Sequence, residues 1–240
     1  MIVVIRDIDD ATYNAEYLQS SGVPAIPLAI LSFSALELKN EVFDKSYQAL
    51  IYTSKHAIVE NNSLYSLPVW CVGNATGAAA KKAGYKNILV PSDNARSMAD
   101  VMVHKIKADD GPLLWLSGAD IAFDIASYVS STKLQVERVI NYQMKPISQL
   151  PDWFVDLVRT GTITGILVLS KRSFDCFSSL MISKNIWDYH KKWYLFTFDK
   201  IPFGTTDTSS FLGCIKSQTS NIDDLFKHIK DWYSIINKPR

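Results

Sequence analysis

An internal repeat constrains this chain more than any other feature of its sequence. Ala49-Leu-Ile-Tyr-Thr-Ser54-Lys55-His56 and Gly165-Ile-Leu-Val-Leu-Ser170-Lys171-Arg172 are both apolar strands that end in Ser-Lys and run into a helical stretch. The offset from Lys55 to Lys171 is 116 residues. Asn94-Ala-Arg-Ser-Met98-Ala-Asp100, leading to His104, matches Gln218-Thr-Ser-Asn-Ile222-Asp-Asp224, leading to His228, at an offset of 124. A third match pairs Leu113-Leu-Trp-Leu-Ser117-Gly118, through Tyr128 to Val136, with Ile2-Val-Val-Ile-Arg6-Asp7, through Tyr17 to Ala25, at an offset of 111. This unit closes the first copy but stands at the start of the chain for the second. One copy is therefore continuous and the other split. The expectation is an α/β fold of two similar parallel-sheet domains, one of them discontinuous. Residues 1–28 with 146–240 form the first, and 33–140 the second. Residues 29–32 and 141–145 are expected to cross between them as a two-stranded antiparallel β-ladder hinge.

The repeat rests on alternating elements. Short β-branched runs at Ile2–Arg6, Ala49–Thr53, Val69–Val72, Ile88–Val90, Leu113–Leu116, Val136–Tyr142, Ile166–Leu169, Trp193–Thr197 and Leu212–Ile215 read as strands. Most are continuously apolar, as strands covered on both faces are. Helical stretches lie between them: Ala11 to Ser20 with Tyr13, Tyr17 and Leu18 on one stripe, Thr76 to Ala83, Met98 to Ile106, and Ile222 to Ile235. Strand–helix alternation with short connections implies parallel sheets covered by helices.

Composition removes several classes of function. With 48% apolar and 20% charged residues over 240 positions, the chain is globular and long enough for one large or two small domains. Twenty-five basic against 24 acidic residues give a net charge of +1. No global field draws in nucleic acid or a membrane surface. Three cysteines without a Cys-x-x-Cys pair argue for buried reduced thiols, not disulfides or zinc. The longest apolar run, Val23 to Leu31, is broken by Pro24 and Pro27 and falls short of the roughly 20 residues a span needs. No basic signal-peptide start precedes the first strand, so the expected location is the cytoplasm.

Familiar motifs are absent. There is no Gly-x-Gly-x-x-Gly, P-loop, Gly-x-Ser-x-Gly or His-Glu-x-x-His. His104 and His228 fall on expected exposed helix faces. Asp109-Asp110 reads as loop, and Asp223-Asp224 as a helix first turn, where acids suit the macrodipole. Trp187 to Phe198, with Lys191 and Lys192, could stack nucleic-acid bases. It falls where a helix leads into a core strand, and core packing is the better reading.

What remains is a set of strand-to-helix turns rich in hydroxyls and lysine. They are Thr53-Ser54-Lys55, Gly73-Asn74-Ala75-Thr76, Ser92 to Ser97, Ser117-Gly118, Ser170-Lys171-Arg172-Ser173 and Thr219-Ser220-Asn221. In parallel α/β sheets such turns sit at the carboxyl ends of strands, where ligands bind. Helix N-termini there present free N–H groups to anions. Any one turn is explained by ordinary N-capping. The whole set, in two domains facing a hinge, suggests an anion-lined cleft.

Four segments carry a family likeness: Val3-Val4-Ile5-Arg6; Leu50-Ile-Tyr-Thr53-Ser54-Lys55-His56-Ala57-Ile58; Val72-Gly73-Asn74-Ala75-Thr76, with Ala83-Gly84-Tyr85 after it; and Val139-Ile140-Asn141-Tyr142. In this order, over nearly the whole chain, the sequence resembles the uroporphyrinogen-III synthase family. One departure stands out. Where the family usually carries a second Gly-x-x-Thr turn, this chain reads Thr197 to Thr206 without that register. The resemblance implies two α/β domains on a two-stranded ladder. It implies a monomeric, cofactor-free hydro-lyase with no metal, acting in tetrapyrrole (haem) biosynthesis. The substrate would be hydroxymethylbilane, a linear tetrapyrrole with eight carboxylates. The reaction removes water, inverts the last pyrrole ring and closes uroporphyrinogen III, whereas uncatalysed closure gives the type I isomer. Transient contact with the enzyme that produces hydroxymethylbilane is the one protein partner implied, with no nucleic acid and no membrane. The family's hinge tyrosine maps to Tyr142 as the catalytic acid. Carboxylate binding falls to Thr53, Ser54, Lys55, Gly73, Thr76, Ser97, Ser170, Lys171 and Ser220, with Arg6 and Arg172 as helpers. The alternative reading is a non-enzymatic two-lobe binding protein for a small anion.

Overall fold

The computed structural model describes residues 1–199, 208–219 and 221–237. In chain order it contains β1 (Ile2–Asp7), α1 (Ile8–Ser20), β2 (Ala25–Ala35), β3 (Ala49–Tyr52), β4 (Val69–Val72), α2 (Gly73–Lys82), β5 (Ile88–Ser92) and α3 (Ala95–Lys105). There follow β6 (Leu113–Gly118), α4 (Ile125–Val129), β7 (Val136–Pro146), α5 (Asp152–Arg159), β8 (Gly165–Val168), α6 (Lys171–Ser183), β9 (Tyr194–Phe198), β10 (Gly213–Ser217) and α7 (Ile222–Ile236). The chain divides into two compact units. Unit 1 comprises Met1–Ser32 and Lys145–Arg240, and unit 2 comprises Phe33–Met144.

Within unit 1 the strand order is β10-β9-β8-β1-β2, and within unit 2 it is β5-β4-β3-β6-β7. Pairings within each unit are parallel. The segments related in sequence hold the same place in each order: β8 and β3, β10 and β5, β1 and β6. Both β2 and β7 pass from one unit into the other. In unit 1, Ile147 N–H donates to the Ile30 carbonyl (3.0 Å) and the Ser32 hydroxyl to the Lys145 carbonyl (3.2 Å). In unit 2, Leu36 N–H donates to Asn141 (2.9 Å).

The cores follow from strand periodicity. In β3, Leu50 and Tyr52 enter one core of unit 2 with Leu64, Cys71 and Tyr85. The alternate residues Ala49 and Ile51 enter another, with Trp115, Met98 and Met102. Successive side chains of a strand point to opposite faces, so a strand covered on both sides is apolar throughout. In unit 1, Ile2 and Val4 pack with Leu18, Leu167, Phe196, Phe226 and Trp232.

Several sequence expectations are corrected. The Thr53-Ser54-Lys55 turn opens only a 3-10 turn, Lys55–Ala57, and the chain is extended again at Ile58. Ile58 and Val59 are β-branched and pack against the unit 2 core, which ends the turn. Ser170, its repeat partner, opens the full helix α6. On α1 the buried stripe is Ala11, Ala15 and Leu18, while Tyr13 is 68% exposed. Tyr13 sits about 200° around the helix from Ala11, hence on its far side. The thiols are not all buried: Cys71 is, Cys176 is half-buried and Cys214 exposed. Cys214 lies on β10, which ends its unit's strand order and alternates inward and outward. β2 begins at Ala25, four residues before the expected crossing, and the helices start at Ile8, Gly73 and Ala95, ahead of their expected first residues. Trp193, Leu195 and Phe196 are buried, in keeping with core packing for the aromatic stretch. No helix among the described residues is long and apolar enough to cross a membrane.

Candidate functional site

Unit 2 contains a cavity of about 330 Å³ at the carboxyl ends of its strands. Thr53 and Ser54 follow β3, Val72 ends β4, Asp93, Asn94 and Ala95 join β5 to α3, Gly118 ends β6, and Tyr142 lies on β7. Asp120 to Phe123 complete the wall. The chain lays down β3, β4 and β5 to one side and then returns to place β6 on the other side of β3. The gap between β3 and β6 is therefore a topological switch point, where connections diverge and leave room for a ligand.

Each turn is held locally. Ser54 Oγ accepts from His56 N–H (3.3 Å). Asn94 caps α3 by accepting from Ser97 N–H (2.8 Å). Gly73 has φ +73°, a left-handed conformation that disfavours a side chain, and α2 begins there without a side-chain cap. Arg138 organises the end of β6. It donates from Nε to Ser117 Oγ (2.9 Å) and from Nη2 to the carbonyls of Gly118 (2.8 Å) and Ala119 (3.1 Å). Its guanidinium also lies 5.3 Å from the Trp115 ring centroid.

Tyr142 is closely packed in the cavity wall. It is 9% exposed, and its hydroxyl has no hydrogen-bond partner among the described residues. A Cβ on Gly118 would lie 2.7 Å from Tyr142 Cζ and 2.9 Å from its hydroxyl, so the phenol occupies space that only glycine leaves. The other side of the ring meets Phe33 and His56, each with its centroid 5.8 Å away, and these two stack at 5.5 Å. Asn141 Nδ2 donates to the Ala57 carbonyl (2.6 Å), tying the His56 turn to β7.

Of the residues expected from sequence, Thr53, Ser54 and Tyr142 come together in the lining. Gly73 follows Val72, and Ser97 lies two residues beyond Ala95, both just behind the wall. Lys55 is in the 3-10 turn outside the lining, and Thr76 is buried on α2. In unit 1, Arg6 is the last residue but one of β1 and pairs with Asp10 (2.6 Å). Ser170 caps α6, accepting from Ser173 N–H (3.1 Å), and Lys171 pairs with Asp175. Ser220, and residues 200–206 of the turn that departs from the family pattern, lie outside the described residues. Sequence reasoning missed Asp93, Asp120 and Arg138. The two carboxylates face a cavity whose lining holds no Lys, Arg or His among the described residues. Gly118 carried the clearest available signal, a Ser-Gly pair at the end of an apolar run.

Beneath the cavity, the core face of unit 2 is kept neutral. The Tyr52 and Tyr85 hydroxyls share a hydrogen bond (2.9 Å), and Tyr85 donates to the Val59 carbonyl (2.8 Å). Burial pushes the Tyr85 phenol up to about 12 and raises Tyr52 further, with Tyr85 adding to the latter. Burial likewise pushes the Cys71 thiol up to about 12, which makes it a packing residue and not a nucleophile.

The model of the HEM4 family, Uroporphyrinogen-III synthase HemD, matches residues 14–199. Among solved structures, uroporphyrinogen-III synthetase from Helicobacter pylori 26695 is similar at a TM-score of 0.59 and 11% identity, over 96% of this chain and 98% of that one. A mutant uroporphyrinogen III synthase from the extremely thermophilic bacterium Thermus thermophilus is similar at 0.54 and 8%, over 99% of each. At such identities these likenesses speak for the fold. No curated protein matches the sequence.

Proposed function

The chain belongs to the uroporphyrinogen-III synthase family of tetrapyrrole biosynthesis, and we propose that it works as a cofactor-independent hydro-lyase with Tyr142 as its acid. The substrate is hydroxymethylbilane. Loss of its terminal hydroxyl leaves a reactive azafulvene, which closes to the type I macrocycle unaided. The protein must therefore direct more than activate: it holds the flexible chain so that closure with inversion of the last ring wins. That is catalysis by proximity and orientation.

The observation that carries this reading is the Tyr142 phenol. It is nine-tenths buried, unpartnered among the described residues, and turned to a cavity at the switch point of unit 2. The ring is packed against its neighbours while the hydroxyl opens to the cavity, which leaves its O–H hydrogen bond to a ligand. Donating to the departing hydroxyl would complete it, and a positioned general acid contributes about 10²–10⁴-fold. In unit 2 we assign carboxylate binding to Thr53, Ser54 and Lys55, to Gly73 and Thr76 in the first turn of α2, and to Ser97 in the first turn of α3. Helix N–H groups contribute about 0.3–1 kcal/mol per anion. In unit 1 the corresponding assignments are Ser170, Lys171 and Ser220, with Arg6 and Arg172 in support. The crossings in β2 and β7 serve as the hinge in this scheme. The enzyme acts as a cytoplasmic monomer that receives its substrate from the enzyme producing it.

The test is the isomer ratio. Hydroxymethylbilane is generated in place with and without the protein, the products are oxidised, and uroporphyrins I and III are separated by chromatography. Predominant type III is expected. Unchanged type I from folded protein would leave a two-lobe binding protein as the better reading. Tyr142→Phe is expected to keep the fold and lower turnover more than about tenfold. Unchanged turnover would remove Tyr142 from the chemistry.

A further inference from the structure

We propose that Arg96 is the cation that takes a substrate carboxylate at the rim of the unit 2 cavity, a role that rests on the synthase reading above. Arg96 is the second residue of α3, directly after Ala95, which lines the cavity. Its guanidinium carbon lies 5.1 Å from the centroid of Phe123, also a lining residue, and 5.3 Å from that of Tyr128. The two rings meet edge to face at 5.1 Å. Tyr128 is fixed in turn by donating its hydroxyl to Asp100 Oδ1 (2.5 Å). Two aromatic faces thus hold the guanidinium in place.

Three further observations point to a ligand. First, Arg96 makes no ion pair or hydrogen bond with the described residues, so its fork of donors is unused. That fork matches a carboxylate bidentately. Second, α3 gains nothing from a cation there, because the first turn of a helix carries the positive end of its macrodipole. The two ring contacts hold the side chain in place, while its charge is left without a carboxylate partner among the described residues. Third, the cavity wall carries Asp93 and Asp120 and no cation among the described residues. Lys55 is then the one cation so far assigned to carboxylate binding in unit 2, few for a substrate with eight carboxylates. Arg96, stacked on Phe123 of the lining, supplies a further positive charge at the cavity rim.

The test compares Arg96→Gln and Arg96→Lys with the wild type in the full chain, by steady-state kinetics with hydroxymethylbilane at two ionic strengths. Arg96→Gln is expected to raise KM on the order of tenfold, with kcat and the type III fraction within about twofold of wild type. The wild-type KM should climb with salt more steeply than that of the glutamine variant. Arg96→Lys should recover part of the loss, since it keeps the charge but not the fork. The melting temperature of Arg96→Gln should stay close to that of the wild type, because loss of the two ring contacts and removal of a cation from the helix start act in opposite directions. A glutamine variant with wild-type KM and wild-type salt dependence would overturn the proposal. So would a KM loss that comes with a large fall in melting temperature and that Arg96→Lys does not ease. A wild type that yields no type III product fails at the earlier step, the synthase reading itself, and is recognised as such by the product ratio alone.

Discussion

At the scale of single residues, Gly118 and Tyr142 are one device. The phenol lies where a Cβ on Gly118 would stand, with 2.7 Å between that Cβ and Cζ. Gly118→Ala is therefore expected to swing the Tyr142 ring and lower turnover to a level near that of Tyr142→Phe. Full activity in Gly118→Ala would show that the ring can shift without consequence. Ser170 caps α6, so Ser170→Ala should cost about 0.5–2 kcal/mol in urea unfolding, whatever it does to KM. The buried phenols and thiol set the alkaline limit. Tyr47, Tyr85 and Cys71 are pushed up to about 12 in the fold, chiefly by burial, and Glu137 beside Tyr47 adds to its rise. Unfolded, these groups ionise nearer 9 to 10, so the unfolded chain sheds protons that the fold retains. Their stabilisation is intact below pH 9 and drains away between about 9 and 12. A melting temperature that falls steeply across that window is the expected result, and a flat profile would contradict it.

At the scale of elements, aromatic packing anchors α7. Trp232 meets Phe196 at 4.9 Å and Tyr194 at 5.0 Å, and Tyr17 of α1 stacks on Phe226 at 4.7 Å. Trp232→Ala should cost about 3–5 kcal/mol, read from the urea midpoint. The sequence made the strands legible because buried parallel strands are written as unbroken apolar runs, and Ile2 to Ile5 is one such run. It did not make the Ser54 turn legible. Ser54-Lys55 and Ser170-Lys171 look alike locally, but Ile58 and Val59 are drawn into the core of unit 2, and that pull is tertiary. The acidic wall was hidden for a related reason. Asp93 and Asp120 lie in separate loops, and only the placement of β6 beside β3 brings them to one cavity. Hydroxyl-rich turns advertised a ligand site, whereas the charges that face into it depended on which strand ends became neighbours.

At the scale of the whole molecule, the two units have separate cores. Met102 is fully buried in unit 2, and Met102→Ala should cost about 2–5 kcal/mol there. Amide exchange should quicken in β3 to β6 and stay near wild-type rates in β8 to β10, as separate cooperative blocks require. Equal acceleration in both would mean that the units open together. The split of unit 1 also bears on how the protein is made. β1 ends at Asp7, but its neighbour β8 starts only at Gly165. At about 5–20 residues per second, a ribosome takes roughly 8–32 s to cover that interval. Throughout it, Ile2-Val3-Val4-Ile5 can pair with β2 on one side while its other edge stays open, a template for stray strands. Unit 2, whose strands follow one another in a single stretch, can close in the meantime. The nascent chain thus carries its stickiest edge longest, and a chaperone that shields the first thirty residues should raise the yield of folded enzyme more than one acting on the finished chain.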